Sequence, residues 1–331
     1  IRVLTTSIFL DAQRMPPNYG SAGAFSVLLM LIVAGTLYFY FRVTREPARF
    51  QTITGKGYRP RLISLGRWRF VASATLLLYS FVLLVLPFLI VLWASLLPFY
   101  MKPSLEALSR LTLRNYSTAI HYPKIADSIK NSVLLGLGSA TVVMGLTMIA
   151  SWILVRTKLR GRWLLDLLTT LPLLFPGIVM GLAILRFYLI VPIPIYGTLW
   201  ILLVAFVTRY IPYGIRYTHA GLLQLHRELE EAAYASGASW FNCMRRIVLP
   251  LLTPSFFGGW VFVFLLSAKE LSMSVLLVSP RTPVVSVAIY ELWDNAQVGE
   301  LAAFGVVWTL ILLTVAISYY LFARRYGVQV R

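Results

Sequence analysis

Long apolar runs separated by short polar or basic stretches organise this chain. Each run approaches or exceeds the roughly 20 residues a helix needs to cross a hydrocarbon core. The runs are continuous and do not alternate as barrel strands do. They predict spans at about Ala22–Phe41, Val71–Leu97, Ser132–Val155, Leu164–Val191, Leu199–Ile215, Ser255–Val278 and Leu301–Ala323. Basic residues gather in alternate gaps. Arg42, Arg45, Arg49, Lys56, Arg59, Arg61, Arg67 and Arg69 follow the first run against one acid, Glu46. Arg156, Lys158, Arg160 and Arg162 follow the third, and Arg324 and Arg325 the last. Short loops rich in Lys and Arg stay in the cytoplasm, so Met101–Lys130, the turn at 192–196 and Ser279–Glu300 are expected outside. The expected fold class is all-α, a polytopic membrane helix bundle.

One polar stretch stands apart from this pattern. Residues 231–250 read EAAYASGASWFNCMRRIVLP. Helix formers without proline run from Glu228 to Arg246, with Glu228, Glu230 and Glu231 at the N-terminal side, where acids favour the helix dipole. Gly237 interrupts the run and permits a bend or a close backbone approach. Pro250 suits the start of the next helix, where its missing N–H costs little. An amphipathic helix lying on the membrane surface would also look polar here, but it does not require this spacing.

Glu231, Ala232, Ala233, Gly237, Ile247, Leu249 and Pro250 follow the pattern EAA-x3-G-x9-I-x-LP. This resembles the coupling loop of ABC importer permeases, the inner-membrane components of binding-protein-dependent transport systems. The resemblance implies a type I ABC importer permease fold and a bacterial inner-membrane location. It implies a cytoplasmic coupling helix seated in a groove of an ABC ATPase subunit, two such ATPase copies, and a periplasmic solute-binding protein that delivers the solute. ITGKGYRPR at 53–61, LTLRNYSTAI at 111–120, SIKNSVLLGLGSAT at 128–141 and AKELSMSVLL at 268–277 extend it, more loosely, to the fused two-repeat permeases of the iron(III) importer family. Iron(III) is therefore the expected solute, with thiamine, polyamine and sulfate open within the same class. In that family the binding protein holds the ion, so a permease poor in Cys and His is expected.

Composition agrees with a membrane protein. Hydrophobic residues make up 59% and charged residues 13%, where soluble domains carry about 25% charged. The net charge of +18 lies in the short loops, so it points to the lipid bilayer and its topology and not to nucleic acid. A single cysteine, Cys243, leaves no internal disulfide, and His121, His219 and His226 lack metal-ligand spacing. No GxxxxGK[ST] phosphate loop occurs. Ser, His and Asp are too scattered for a hydrolase. No cofactor and no catalytic residue is expected, and ATP hydrolysis is assigned to a separate subunit. A self-sufficient secondary transporter is the rival class. It would need acids in several spans for ion coupling and would have no use for an ATPase-docking loop.

An odd number of spans is explained by an internal repeat. YGSAGAFSVLLMLIVAGTLYFYF from Tyr19 aligns without a gap to VGELAAFGVVWTLILLTVAISYY from Val298, pairing Gly20 with Gly299, Ala24 with Ala303, Phe25 with Phe304 and Tyr40 with Tyr319. Chance similarity between two apolar helices is the alternative. The expectation is that 1–41 is the last span of an upstream permease repeat, 42–70 a basic cytoplasmic linker, and 71–331 a six-span permease domain with its coupling loop at 228–250. The chain begins with Ile1 and shows no signal peptide, so it is expected to be the C-terminal part of a longer protein.

Four further positions are candidates for the pathway or a subunit interface. Lys269 and Glu270 are expected inside the sixth span, where charges are costly. They fit either a pathway or a polar pair packed in the bundle. Arg186 lies toward the outer end of the fourth span, where it could also snorkel. Pro176, with Pro172 and Gly177, breaks the fourth run, which marks a path or serves packing.

Overall fold

The computed structural model describes residues 3–44, 64–121, 124–191 and 193–325. Arg45, Arg49, Lys56, Arg59 and Arg61 of the basic linker, and Pro192 of the outer turn, lie outside the described residues. Every regular element described is helical. In chain order they are α1 (Leu4–Gln13), α2 (Tyr19–Thr44), α3 (Trp68–Ser95), α4 (Leu105–Ser109), α5 (Arg114–His121), α6 (Ile125–Arg156), α7 (Arg162–Leu174), α8 (Gly177–Ile190), α9 (Leu199–Gln224), α10 (Glu228–Ala235), α11 (Trp240–Ala268), α12 (Ser274–Leu277), α13 (Val285–Asp294) and α14 (Val298–Arg325).

Among the described residues six helices are long and apolar enough to cross a membrane: Tyr19–Phe39, Trp68–Ser95, Ile125–Arg156, Leu199–Gln224, Trp240–Ala268 and Val298–Ala323. The pair α7 and α8 makes a seventh span if counted as one, but it is bent by 108°. The fourth run, Leu164–Val191, is thus broken within the Pro172–Gly177 stretch where the sequence puts the break. Phe175 precedes Pro176 and is held extended at φ −97°, ψ 117°, because the proline ring excludes the helical conformation of the residue before it. Other prolines are absorbed without a break. In α3 and α11 a wide π turn, Phe81–Val85 and Met244–Val248, comes just before Pro87 and Pro250. That turn accommodates the ring and the missing N–H. Pro250 therefore lies within a continuous helix and does not begin one.

The sixth span, expected over Ser255–Val278, is corrected. It runs Trp240–Ala268, and Lys269 leaves the helical conformation at φ −111°, ψ 8°. Lys269 and Glu270 thus follow the span and are not inside it. Glu270 turns the chain by accepting the Met273 backbone N–H at 3.1 Å.

The described residues form two compact units. The first, 1–31, 122–291 and 308–331, is built on α6, α9 and α11. Its core brings Leu135, Ala140 and Val143 against Ile201, Leu202, Ala205, Phe206, Val263 and Phe264. Small residues let the helices approach closely, the usual route to packing in lipid. A Cβ on Gly259 would stand 2.7 Å from Met144 Cε. Hydroxyls join the same helices: Ser139 Oγ donates to Ser267 Oγ at 2.7 Å, and Ser151 Oγ lies 2.6 Å from Thr218 Oγ1. A second cluster packs Ile8, Ala12 and Ala22 on Ile178, Val179 and Leu182 of α8.

The second unit, 32–121 and 292–307, is pinned by Asn115. Its amide donates to Ser95 O at 2.9 Å and Leu97 O at 2.7 Å. Gly299 lies so close that a Cβ there would meet Asn115 Nδ2 at 2.7 Å. Residues 68–85 of α3 have no buried side chain, as suits a helix that presents apolar side chains to lipid.

Candidate functional site

The sequence 228–250 folds as helix, turn, helix. α10 ends at Ala235, and Gly237 takes the left-handed conformation at φ +80°. The Ala238 N–H donates to Ala233 O at 3.0 Å and the Gly237 N–H to Tyr234 O at 2.9 Å. This pair of bonds is a Schellman C-cap, which glycine adopts without the Cβ penalty. Nothing lies within 4 Å of a Cβ built on Gly237. Within this chain Gly237 therefore serves the bend. Ser239 then starts α11, its hydroxyl accepting the Asn242 N–H at 3.4 Å.

The loop has two faces. Ala233, Cys243 and Val248 are buried with Leu222 and Leu252, and Trp152, Val155 and Ile247 pack against them. Trp152 and Trp240 meet edge to face at 6.3 Å. On the other face Glu231, Ala232, Gly237, Leu249 and Pro250 are exposed, together with Leu229, Tyr234 and Phe241. The Tyr234 phenol is held above its ordinary value by partial burial, then by the Cys243 thiol beside it and by Glu230. The seven sequence-derived residues therefore divide, with Ala233 and Ile247 turned inward and the other five outward.

The adjacent acids Glu230 and Glu231 also divide. Glu230 is 8% exposed and pairs with Arg156, the last residue of α6, at 2.7 Å. Arg156 reaches further, its Nη2 donating to Leu222 O at 3.2 Å and Leu225 O at 2.8 Å at the end of α9. In the sequence Arg156 reads only as a topology marker and Glu230 only as a favourable helix-dipole charge. The doubled acid ahead of the EAA pattern was the one signal available, and it does not say which carboxylate turns inward.

A second constellation surrounds the break between α7 and α8. Pro176 is the residue before α8, and the Arg209 guanidinium of α9 donates to the Phe175 carbonyl at the bend. Tyr210 OH donates to Glu270 Oε2 at 2.5 Å and to Leu266 O at 3.1 Å. Gly177 faces Ser272, where a Cβ would meet its Cβ at 2.9 Å. Glu270 and Pro176 are thus brought to one place, and Arg209 and Tyr210 join them. Arg209 was legible as a cation inside an apolar run, although the sequence does not reveal its partner. Lys269 is exposed. Arg186 lies elsewhere on α8, its guanidinium over the Tyr19 ring at 4.5 Å, a cation–π contact. Among the described residues no group of three or more His, Cys, Asp or Glu is placed to hold a metal ion.

An all-helical bundle with a bent span and a helix–turn–helix loop seated on its span ends has the architecture of a type I ABC importer permease. Solved structures agree on the fold. A chain of the bacterial alginate ABC transporter, in complex with its alginate pentasaccharide-bound periplasmic protein, superposes with TM-score 0.61 at 16% identity, over 80% of this chain and 96% of that one. A chain of the inward-facing methionine ABC transporter MetNI superposes with TM-score 0.51 at 14% identity, over 61% and 95%.

Residues 146–328, more than half of the chain, match the family described as binding-protein-dependent transport system inner membrane component, and the chain belongs to that family. It is a multi-pass inner-membrane protein. It is similar to the ferric transport system permease protein FbpB of Actinobacillus pleuropneumoniae, 28% identical over 63% of this chain and 31% of that protein. It is also similar to the spermidine/putrescine transport system permease protein PotC of Escherichia coli K12, 25% identical over 64% and 80%. A third relative is the putative 2-aminoethylphosphonate transport system permease protein PhnV of Salmonella paratyphi A, 26% identical over 66% and 82%. The matched part spans about a third of the length of the ferric relative.

Proposed function

We propose that this chain supplies a membrane pathway of an ATP-driven importer and that Glu231 and Gly237 couple it to separate cytoplasmic ATPase subunits, two per transporter. A periplasmic binding protein hands over the solute. The two-faced loop carries this reading. One face is buried on the ends of α6, α9 and α11, and the other offers an exposed carboxylate and exposed apolar side chains. The exposed Glu231 carboxylate supports this reading, since it can offer a charge-assisted hydrogen bond to a basic group of the ATPase.

Iron(III) is the proposed solute. The resemblance to the iron(III) importer permeases and the similarity to the ferric relative support it, while the polyamine and phosphonate relatives define the competing solutes. The chain is further proposed to carry the end of one permease repeat, a basic linker and a whole second repeat. Ten-residue α1 followed by α2 has its counterpart in ten-residue α13 followed by α14. Lys269, Glu270, Arg186 and Pro176 remain pathway or interface candidates, Glu270 and Pro176 with the added support of their shared position at the bend.

The test uses the whole transporter in proteoliposomes with its ATPase and binding protein. Glu231→Ala and Gly237→Val are expected to leave membrane abundance unchanged but to lose ATPase co-purification and solute uptake. The valine acts through the φ of +80°, which a β-branched residue resists. Wild-type uptake by both variants refutes the coupling role. Labelled ferric iron, spermidine and 2-aminoethylphosphonate, supplied in turn, decide the solute, and uptake of either of the last two without iron refutes the iron assignment.

A further inference from the structure

We infer that Arg156 is the positioning residue that makes the coupling loop move as one body with α6 and α9, an inference that rests on the coupling role proposed above for 228–250. Its guanidinium ties three elements at this end of the bundle. It grows from the last residue of α6, pairs through Nε with Glu230 of α10 at 2.7 Å, and caps the last carbonyls of α9, Leu222 and Leu225, through Nη2. Both partners are nearly out of solvent, with side chains 8% and 11% exposed. The Arg156 carbonyl in turn accepts from Arg227 Nη2 at 3.4 Å, just ahead of α10.

Geometry explains why arginine serves here. A planar fork satisfies a carboxylate and two carbonyls at once, whereas an ammonium is a point charge without that fixed spread. The apolar cluster beneath the loop is non-directional and allows sliding. The buried ion pair and the two carbonyl bonds fix direction and register. A push on the exposed face of α10 therefore enters α6 and α9 through this joint. Glu231 would grip the ATPase, and Glu230, one residue away, grips the bundle.

The test separates gripping from transmission. Spin labels on cysteines replacing exposed Ser236, at the end of α10, and exposed Trp200, at the outer end of α9, report the loop's position relative to the bundle. The span between them is on the order of 39 Å for a 26-residue helix, which electron–electron resonance resolves. The whole transporter is measured with and without ATP and vanadate. In an otherwise wild-type chain one narrow distance is expected, unchanged by vanadate trapping. Arg156→Gln and Glu230→Gln are each expected to keep ATPase co-purification within about twofold of wild type, yet to shift or broaden the distance on trapping and to lose uptake. Arg156→Lys should restore the pair only in part. Arg156→Glu combined with Glu230→Arg should recover the narrow distance in larger part than either single reversal. The inference is overturned if Arg156→Gln or Glu230→Gln keeps one unchanged distance and wild-type uptake per ATP hydrolysed. It is also overturned if these variants lose ATPase association in proportion to membrane abundance, because the joint would then be structural only. Failure of Glu231→Ala to affect association would instead strike the coupling assignment itself, so the two failures are distinguishable.

Discussion

Replacing Gly214 with alanine tests whether the close approach of α6 and α9 organises this bundle. A Cβ there would stand 2.6 Å from Val143 Cγ1, 2.9 Å from Thr147 Oγ1 and 3.1 Å from Thr147 Cγ2. Carbon atoms are most favourably placed at about 3.5–4.0 Å, so the first contact overlaps by roughly 1 Å. Val143 and Thr147 are fully buried and β-branched, with little rotamer freedom in a helix. Relief therefore requires the helices to part. Overpacking of this kind costs about 1–3 kcal/mol, a shift of roughly fivefold to more than a hundredfold in the folding equilibrium. Gly145 on α6 is the control, since nothing lies within 4 Å of its Cβ position. Gly145→Ala is expected to stay within about 0.5 kcal/mol of wild type. The assay is reversible SDS unfolding of the purified chain in detergent micelles. Val143→Ala removes the nearest methyl and should recover part of the loss in the Gly214→Ala background. If Gly214→Ala unfolds at the wild-type midpoint, or falls no further than Gly145→Ala, the close packing of α6 on α9 does not limit stability and the reasoning fails.

Two further outcomes follow from the bend and from the loop charges. Tyr210→Phe keeps the ring against Phe206 and Tyr213 but removes the hydroxyl that reaches Glu270, and should cost about 1–3 kcal/mol in the same unfolding assay; an unchanged midpoint would show that the Glu270 contact is not worth its desolvation. Impermeant thiol reagents applied to intact cells should modify single cysteines placed within Met101–His121 and not those placed at Lys158 or Arg160, with buried Cys243 replaced by serine; labelling at Lys158 from outside contradicts the topology.

The class of this protein is legible along the chain, because crossing a membrane is a one-dimensional constraint. Length, apolarity and the side that carries Lys and Arg are local quantities, so α2, α3, α6, α9 and α14 overlap the expected runs over most of their length, while α11 begins and ends well before its expected run. The spacing from Glu231 to Pro250 likewise exposes a loop whose chemistry is written in order along the chain. Span ends are less legible, since hydropathy cannot register where a side chain returns to cap its own backbone, as Glu270 does after Ala268. The angle at Phe175 is equally hidden. Proline announces that a helix is disturbed, yet π turns absorb Pro87 and Pro250 while Pro176 takes a bend of 108°. Which of two neighbouring glutamates turns inward depends on where Arg156 ends its helix, 74 positions earlier in the chain. Only the tertiary structure decides this, because a buried carboxylate is tolerated solely where a distant cation and its remaining hydrogen-bond partners are already in place.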